Sequence, residues 1–259
     1  MSESAVLIEE LKRLAAGTAP WHAASMAAGP GDWRRGGLAH GQLHELFAAE
    51  QGDAGATAGL ALALAVAAGA LPLLWLRTEG AERQTGRLSG SGAVELGLAP
   101  DLLLLGLVAD ETALLRAGAD AARCAGLGTL LIETWGPAPG LDLTATRRLM
   151  LAAESSGVTI LSLRAAATPV PSAAATRWQV AAAPSTALDA DAPGAPAFLV
   201  ECLRRRGGPA GQRWCVEWNR ETQSFRDQER GAPIPRAGLS LAVDGATAFD
   251  PPAPLRRAG

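Results

Sequence analysis

Lysine is all but absent from this chain: Lys12 is the only one among 259 residues, and arginine carries nearly all of the basic charge. Tyrosine is missing altogether, and aromatics make up 4% of the sequence, so Ala, Leu and Gly must build the core. An apolar share of 48% is enough for a sizeable one. No basic surplus exists. The formal net charge is −3, which argues against a general nucleic-acid binder, whose footprint is a basic balance or stripe. Cysteine is scarce and unpatterned: Cys124, Cys202 and Cys215 lie far apart and form no Cys-x-x-Cys. An odd count without metal spacing fits buried thiols in a reducing cytosol. A signal-peptide pattern is missing too, since Met1–Ala5 leads into Glu9, Glu10, Lys12 and Arg13; a cytoplasmic location is the expectation. The one long apolar run, Ala54–Leu76, is rich in Ala and broken by Gly59, Gly69 and Pro72. It reads as a helix followed by a strand, and no membrane association is expected.

What is present alternates between strand and helix patterns. Leu7, Ile8, Leu11 and Leu14 lie at helical spacing within Ala5–Ala16, with charges opposite, and predict an amphipathic helix. A Pro/Gly-containing linker runs to Arg35. Strands are predicted at Leu43–Phe47, Leu71–Leu76, Leu102–Val108, Thr129–Ile132 and Val158–Leu163, and helices at Ala58–Ala68, Asp110–Cys124 and Thr144–Ser155. Residues 81–92, polar and rich in Gly and Ser, read as a mobile loop. Beyond Arg177–Ala182, also strand-like, Phe198–Arg204 and Arg213–Trp218 form a β-hairpin around a Gly/Pro loop. The expectation is an α/β fold with a mostly parallel twisted sheet, flanking helices and an appended antiparallel β-hairpin. The predicted organisation is an N-terminal helix and linker over 1–35, a core over 36–228, and a Pro-rich tail over 229–259.

The stretch Gly36–Phe47, then Ala48–Thr57 and the helix after it, has the shape of a phosphate-binding loop: glycine turn, strand, loop, helix N-terminus. A P-loop requires Gly-x-x-x-x-Gly-Lys-Ser/Thr. Here the loop reads Glu50-Gln51-Gly52-Asp53-Ala54-Gly55-Ala56-Thr57. Gly55 and Thr57 are in place, Glu50 replaces the first glycine, and Ala56 replaces the lysine.

Several stretches in order resemble the RecA-type ATPase core over about residues 36–220. Gly36–Leu46 looks like the glycine-rich turn and first strand. Leu74–Glu79 resembles the strand whose terminal glutamate activates water, and Leu96–Leu103 the helix-to-strand passage that follows. Thr129–Glu133 stands at the Walker B strand. Within that superfamily the chain is most similar to the ImuA group of damage-inducible mutagenesis proteins. Two stretches carry this: the Gly-Gly-Leu-Ala-x-Gly-x-x-His-Glu lead without a P-loop lysine, and Leu203–Pro209 followed by Arg213–Asn219 and Phe225. The resemblance implies a RecA-like core and a non-catalytic accessory of error-prone translesion synthesis under the SOS response. Its implied partners are an ImuB-type relative of Y-family polymerases, an error-prone replicative-type polymerase, and RecA. A SulA-like cell-division inhibitor is one alternative. An active RecA-type ATPase using arginine in place of the P-loop lysine, with Arg204 or Arg206 supplied in trans, is another.

The expected nucleotide site is degenerate at Glu50, Gly55, Ala56, Thr57, Glu79 and Glu133. Without lysine no fixed positive charge meets the β/γ-phosphates, and losing a contact of this kind costs on the order of 10²–10³ in rate. No cofactor, metal or catalytic residue is therefore expected. Thr57 reads as an ordinary helix N-terminal threonine, with Mg²⁺ ligation the alternative. Glu133 stands where the family has Asp and displaces metal–water geometry; Glu79 matches the catalytic glutamate but has no water to activate. The candidate interface residues are Leu7, Leu11 and Leu14 on the first helix, and Arg204 and Arg206, which are otherwise a solvated hairpin tip. Arg34, Arg35, Arg147, Arg148 and Arg164 are candidates for a local phosphate-binding patch. DNA contact through the loops after Glu133 and Arg164 is not predicted, because they offer little base-stacking capacity. His40 and His44, four apart, lack a third ligand nearby in sequence. Ser89–Gly92 reads as a flexible loop.

Overall fold

The structure is a computed structural model that describes residues 33–36 and 38–228. The Ala5–Ala16 helix with Leu7, Leu11 and Leu14, and the Pro-rich tail, lie outside the described residues.

A nine-stranded sheet forms the centre, in the order β3-β2-β4-β5-β1-β6-β7-β8-β9. Its strands are β1 (Leu43–Ala48), β2 (Leu73–Thr78), β3 (Leu103–Val108), β4 (Thr129–Trp135), β5 (Thr159–Ala165), β6 (Thr176–Ala183), β7 (Ala197–Arg205), β8 (Arg213–Asn219) and β9 (Ser224–Asp227). Pairings from β3 through β6 are parallel, and those from β6 to β9 are antiparallel. The α/β expectation with a mostly parallel sheet therefore holds. The antiparallel part is larger than a hairpin, because β9 adds a further strand beside β8. Four residues with one apolar side chain, Phe225, give little periodic signal, which is why β9 is invisible at sequence level.

Helix α1 (Trp33–Gly36) precedes the sheet, and α2 (Ala54–Ala67) follows β1. Helices α3 (Glu79–Thr85), α4 (Gly90–Glu95), α5 (Glu111–Ala121) and α6 (Leu143–Ser156) complete the set. Leu60 to Val66 of α2 are all buried, as a helix apolar nearly all round requires. It packs with α4 on the sheet face formed by Leu46, Leu73, Trp75, Leu131 and Leu161. Helices α5 and α6 cover the opposite face through Leu114, Ala117, Leu149 and Ala153. Among the described residues no helix is long and apolar enough to cross a membrane.

Segment 81–92 differs from the expected loop. The Thr78 hydroxyl accepts from Ala81 N at 3.0 Å and starts α3. The Ser89 hydroxyl accepts from Gly92 N at 3.2 Å and starts α4. A side-chain N-cap is worth about 1 kcal/mol, the same size as the helix penalty of a glycine. Burial of Ala93 and Leu96 in the core supplies the rest. Trp33, in the segment read as linker, is 6% exposed. Its ring lies 5.6 Å from that of Trp178, 5.8 Å from Trp214 and 5.5 Å from Phe225.

His44 couples the two halves of the sheet. It stands opposite Thr176 in the β1–β6 register and is fully buried. Its Nε2 lies 2.8 Å from the Ala39 carbonyl, which only accepts, so Nε2 carries the proton. Nδ1 then accepts from the Thr176 hydroxyl at 2.7 Å, and that oxygen accepts from Trp178 Nε1 at 2.6 Å. Both ring nitrogens are engaged. Burial, the dominant influence, lowers the His44 pKa to about 4 from 6.5. The unfolded chain therefore takes up a proton below about 6.5 that the folded chain refuses. The stability due to neutral His44 is complete above that pH and falls as pH drops towards 4, by about 1.4 kcal/mol per pH unit. Urea unfolding across this window should show a slope of about one proton that His44→Gln removes; an unchanged slope would contradict the neutral assignment.

Candidate functional site

The loop between β1 and α2 is closed by its own acids. A 3₁₀ turn spans Gln51–Asp53. Glu50 N donates to the Asp53 carboxylate at 3.1 Å, and the Glu50 carboxylate accepts from Asp53 N in return. This reciprocal capping box satisfies donors that would otherwise meet an anion. The other Asp53 carboxylate oxygen accepts from Ala182 N at 2.9 Å, pinning the turn to the end of β6. Thr57 is 2% exposed, and its hydroxyl donates to the Asp53 carbonyl at 2.9 Å. That is the arrangement of an ordinary threonine in a first helical turn. Gly55 and Ala56 stand in the same first turn of α2 and contribute no charge. These residues do not fit a Mg²⁺-triphosphate: the lysine is absent, two carboxylates stand at the helix N-terminus, and the threonine hydroxyl is spent.

Glu133, on β4, is buried and only 5% exposed. Trp75 Nε1 donates to its Oε2 at 2.9 Å, and the Thr85 hydroxyl to its Oε1 at 2.9 Å. Arg77 Nη2 reaches Oε1 at 3.1 Å and also contacts the Thr85 hydroxyl. Arg77 Nη1 donates to the Gly86 carbonyl at 3.0 Å. The Glu133 carboxylate is thus neutralised and fully engaged, tying β2, β4 and the end of α3 together. Glu79 is elsewhere. It begins α3 at the surface, where its carboxylate meets Arg83 at 3.5 Å. The structure brings Glu50, Gly55, Ala56 and Thr57 together, and leaves Glu79 exposed at the start of α3 while Glu133 is buried on β4. Sequence reading missed Trp75, Arg77 and Thr85. The available signal was a single arginine in an otherwise apolar strand, which needs a partner when buried.

A second polar cluster lies on the opposite sheet face. The Glu45 carboxylate accepts from the Ser172 hydroxyl at 2.8 Å and Arg177 Nε at 2.9 Å. Arg177 Nη2 also donates to the Val170 carbonyl. Arg164 is buried, 5.5 Å from the Phe47 ring, and donates to the Pro137 carbonyl at 2.8 Å. Burial works against its charge, and the carboxylates of Glu45 and Glu111 favour it. It therefore does not belong to a surface phosphate patch. Arg34 is paired with Asp227, Arg147 and Arg148 are exposed on α6, and the side chain of Arg35 lies outside the described residues. Arg204 Nη1 donates to the Ser172 and Ala174 carbonyls at 3.2 and 3.3 Å, and Arg206 Nη2 to the Ala173 carbonyl at 3.2 Å. Both arginines are exposed, and both donate to the loop between β5 and β6. Among the described residues no group of three His, Cys, Asp or Glu side chains is placed to hold a metal ion. Burial pushes the Cys202 thiol up, away from reactivity.

A scan against protein-family models finds no matching family, and a search of curated proteins finds no match.

The buried pair on β2 and β4 makes a sharp prediction. Arg77→Met leaves a buried carboxylate without its counter-charge and should cost about 3–5 kcal/mol. Adding Glu133→Gln removes that charge while keeping an acceptor for Trp75, and should recover most of the loss. Urea midpoints of the two single variants and the double variant test this; additive losses would rule out the pairing.

Proposed function

We propose that this chain is a RecA-like, ImuA-type protein that acts by binding other proteins and does not hydrolyse nucleotide. On this reading it is a cytoplasmic accessory of error-prone translesion synthesis in the SOS response. Its partners are an ImuB-type relative of Y-family polymerases, an error-prone replicative-type polymerase, and RecA. The observation that carries the non-catalytic part is the pair of carboxylates, Glu50 and Asp53, capping the turn where a P-loop would hold phosphate. Phosphoryl transfer depends on positioning and on positive charge around the transferred group, and this loop supplies charge of the opposite sign. The RecA-like part draws support from the order of motifs. The Leu74–Glu79 stretch falls on β2 and the start of α3, Leu96–Leu103 on the passage from α4 to β3, and Thr129–Glu133 on β4. The arginine-rich Leu203–Pro209 segment falls at the β7–β8 turn.

The test combines binding and genetics. Affinity-tagged chain recovered from DNA-damaged cells should bring down a polymerase-type partner, and deletion of the gene should reduce damage-induced mutation towards the uninduced level. Recovery without any polymerase-type partner, with mutation frequency unchanged, overturns the proposal. Filamentation on overexpression would favour a division inhibitor. Micromolar ATP affinity with turnover by the purified protein would overturn the non-catalytic reading separately.

A further inference from the structure

Beside the capped turn, and sharing Ala54 and Gly55 at the start of α2 with it, lies a cleft of about 640 Å³. One wall is the flank of α2, with Ala58, Gly59 and Leu62; Ala93 of α4, Leu96 just after it and the Trp218 side chain complete the apolar lining. Trp75, Arg77 and Glu133 also line it. Their size and character suit a small organic molecule, since such pockets run from about 300 to 1,000 Å³ with apolar walls and few polar groups.

The polar atoms of the lining divide into two kinds. Deep in the fold, they are mostly satisfied within the protein. Trp75 Nε1 and Arg77 Nη2 are spent on Glu133, and Trp218 Nε1 donates to the Leu96 carbonyl at 3.1 Å. One buried donor remains, Arg77 Nε, with no partner. The second kind is exposed. Arg87 and Arg220 both line the cleft, both are solvent-exposed, and neither has a hydrogen-bond partner among the described residues. Counted together, Arg77, Arg87 and Arg220 face Glu95 and Glu133. The cleft therefore carries one net positive charge on a chain whose net charge is −3. A buried, paired charge invites nothing further, whereas two unpartnered guanidinium groups beside apolar walls favour one anionic group next to an apolar body.

We propose that this cleft binds a small amphipathic anion, its aromatic or aliphatic body against Ala58, Leu62 and Trp218 and its single acidic group on Arg87 and Arg220. The site stands whether or not the translesion reading does, because it needs no protein partner and its anion contacts, Arg87 and Arg220, lie outside the capped turn. It adds a ligand-binding role to a domain whose phosphate seat is closed by its own carboxylates.

Two dyes that differ in charge test it on the full chain. 8-Anilinonaphthalene-1-sulfonate has an aromatic body and one sulfonate; N-phenyl-1-naphthylamine is its uncharged counterpart. Both should bind saturably, one per chain, with a rise in fluorescence. The double variant Arg87→Ala/Arg220→Ala should weaken the sulfonate dye by about tenfold, the scale of one charge-assisted contact, and leave the neutral dye unchanged. Ala58→Trp, which fills the apolar wall, should abolish both; if that variant does not fold, the arginine pair decides alone. Non-saturating fluorescence, or an arginine variant that leaves the sulfonate dye unaffected, overturns the proposal. So does displacement of the dye by micromolar ATP, which would reassign the cleft to a nucleotide.

Discussion

A carboxylate in the interior must be neutralised, and much of this domain follows from how Glu133 meets that requirement. An unpaired buried charge costs several kcal/mol. Arg77 on the neighbouring strand supplies the counter-charge, and Trp75 and Thr85 supply the remaining donors. The partners come from two places in the sequence, β2 and the end of α3, so satisfying one carboxylate orders β2, β4 and the end of α3 at once. The same contacts hold the Gly86 carbonyl and fix the start of the segment leading to α4. What remains beside them is the apolar cleft against α2.

The loop after β1 follows a parallel logic at a helix terminus. Helix N-termini present unsatisfied donors and a positive potential. In a phosphate-binding protein the ligand answers both. Here Glu50 and Asp53 answer them from within the chain, and Asp53 also reaches Ala182 on β6. The turn is thereby stabilised by anions of the chain itself. It serves as a structural joint between the central strand and the buried helix.

Much of the fold was legible in the residues. The apolar runs at Leu71–Leu76, Thr129–Ile132 and Val158–Leu163 become strands of the parallel sheet because buried strands need little else. The Ala/Leu helix after the loop is buried all round, as its composition demands. Segment 81–92 was misleading because glycine and serine lower helix propensity, while Thr78 and Ser89, the capping hydroxyls, carried the better signal. Of the site, the missing lysine and the acid at 50 could be read directly, whereas the capping by Asp53 could not. The partners of Glu133 could not, because Trp75 and Arg77 lie 58 and 56 residues away along the chain.

By itself, then, the sequence determined the local chemistry: which loop lacks positive charge, which segments are apolar enough to bury, and where strands and helices alternate. Only the tertiary structure decided what the charged side chains do. Arg164 is interior instead of part of a basic surface, Arg204 and Arg206 brace a loop, and Arg87 and Arg220 meet at one cleft. The reason is physical. Apolar periodicity is a local property of the chain, whereas the partner of a charge is set by strand order and register, which bring distant residues within a few ångströms.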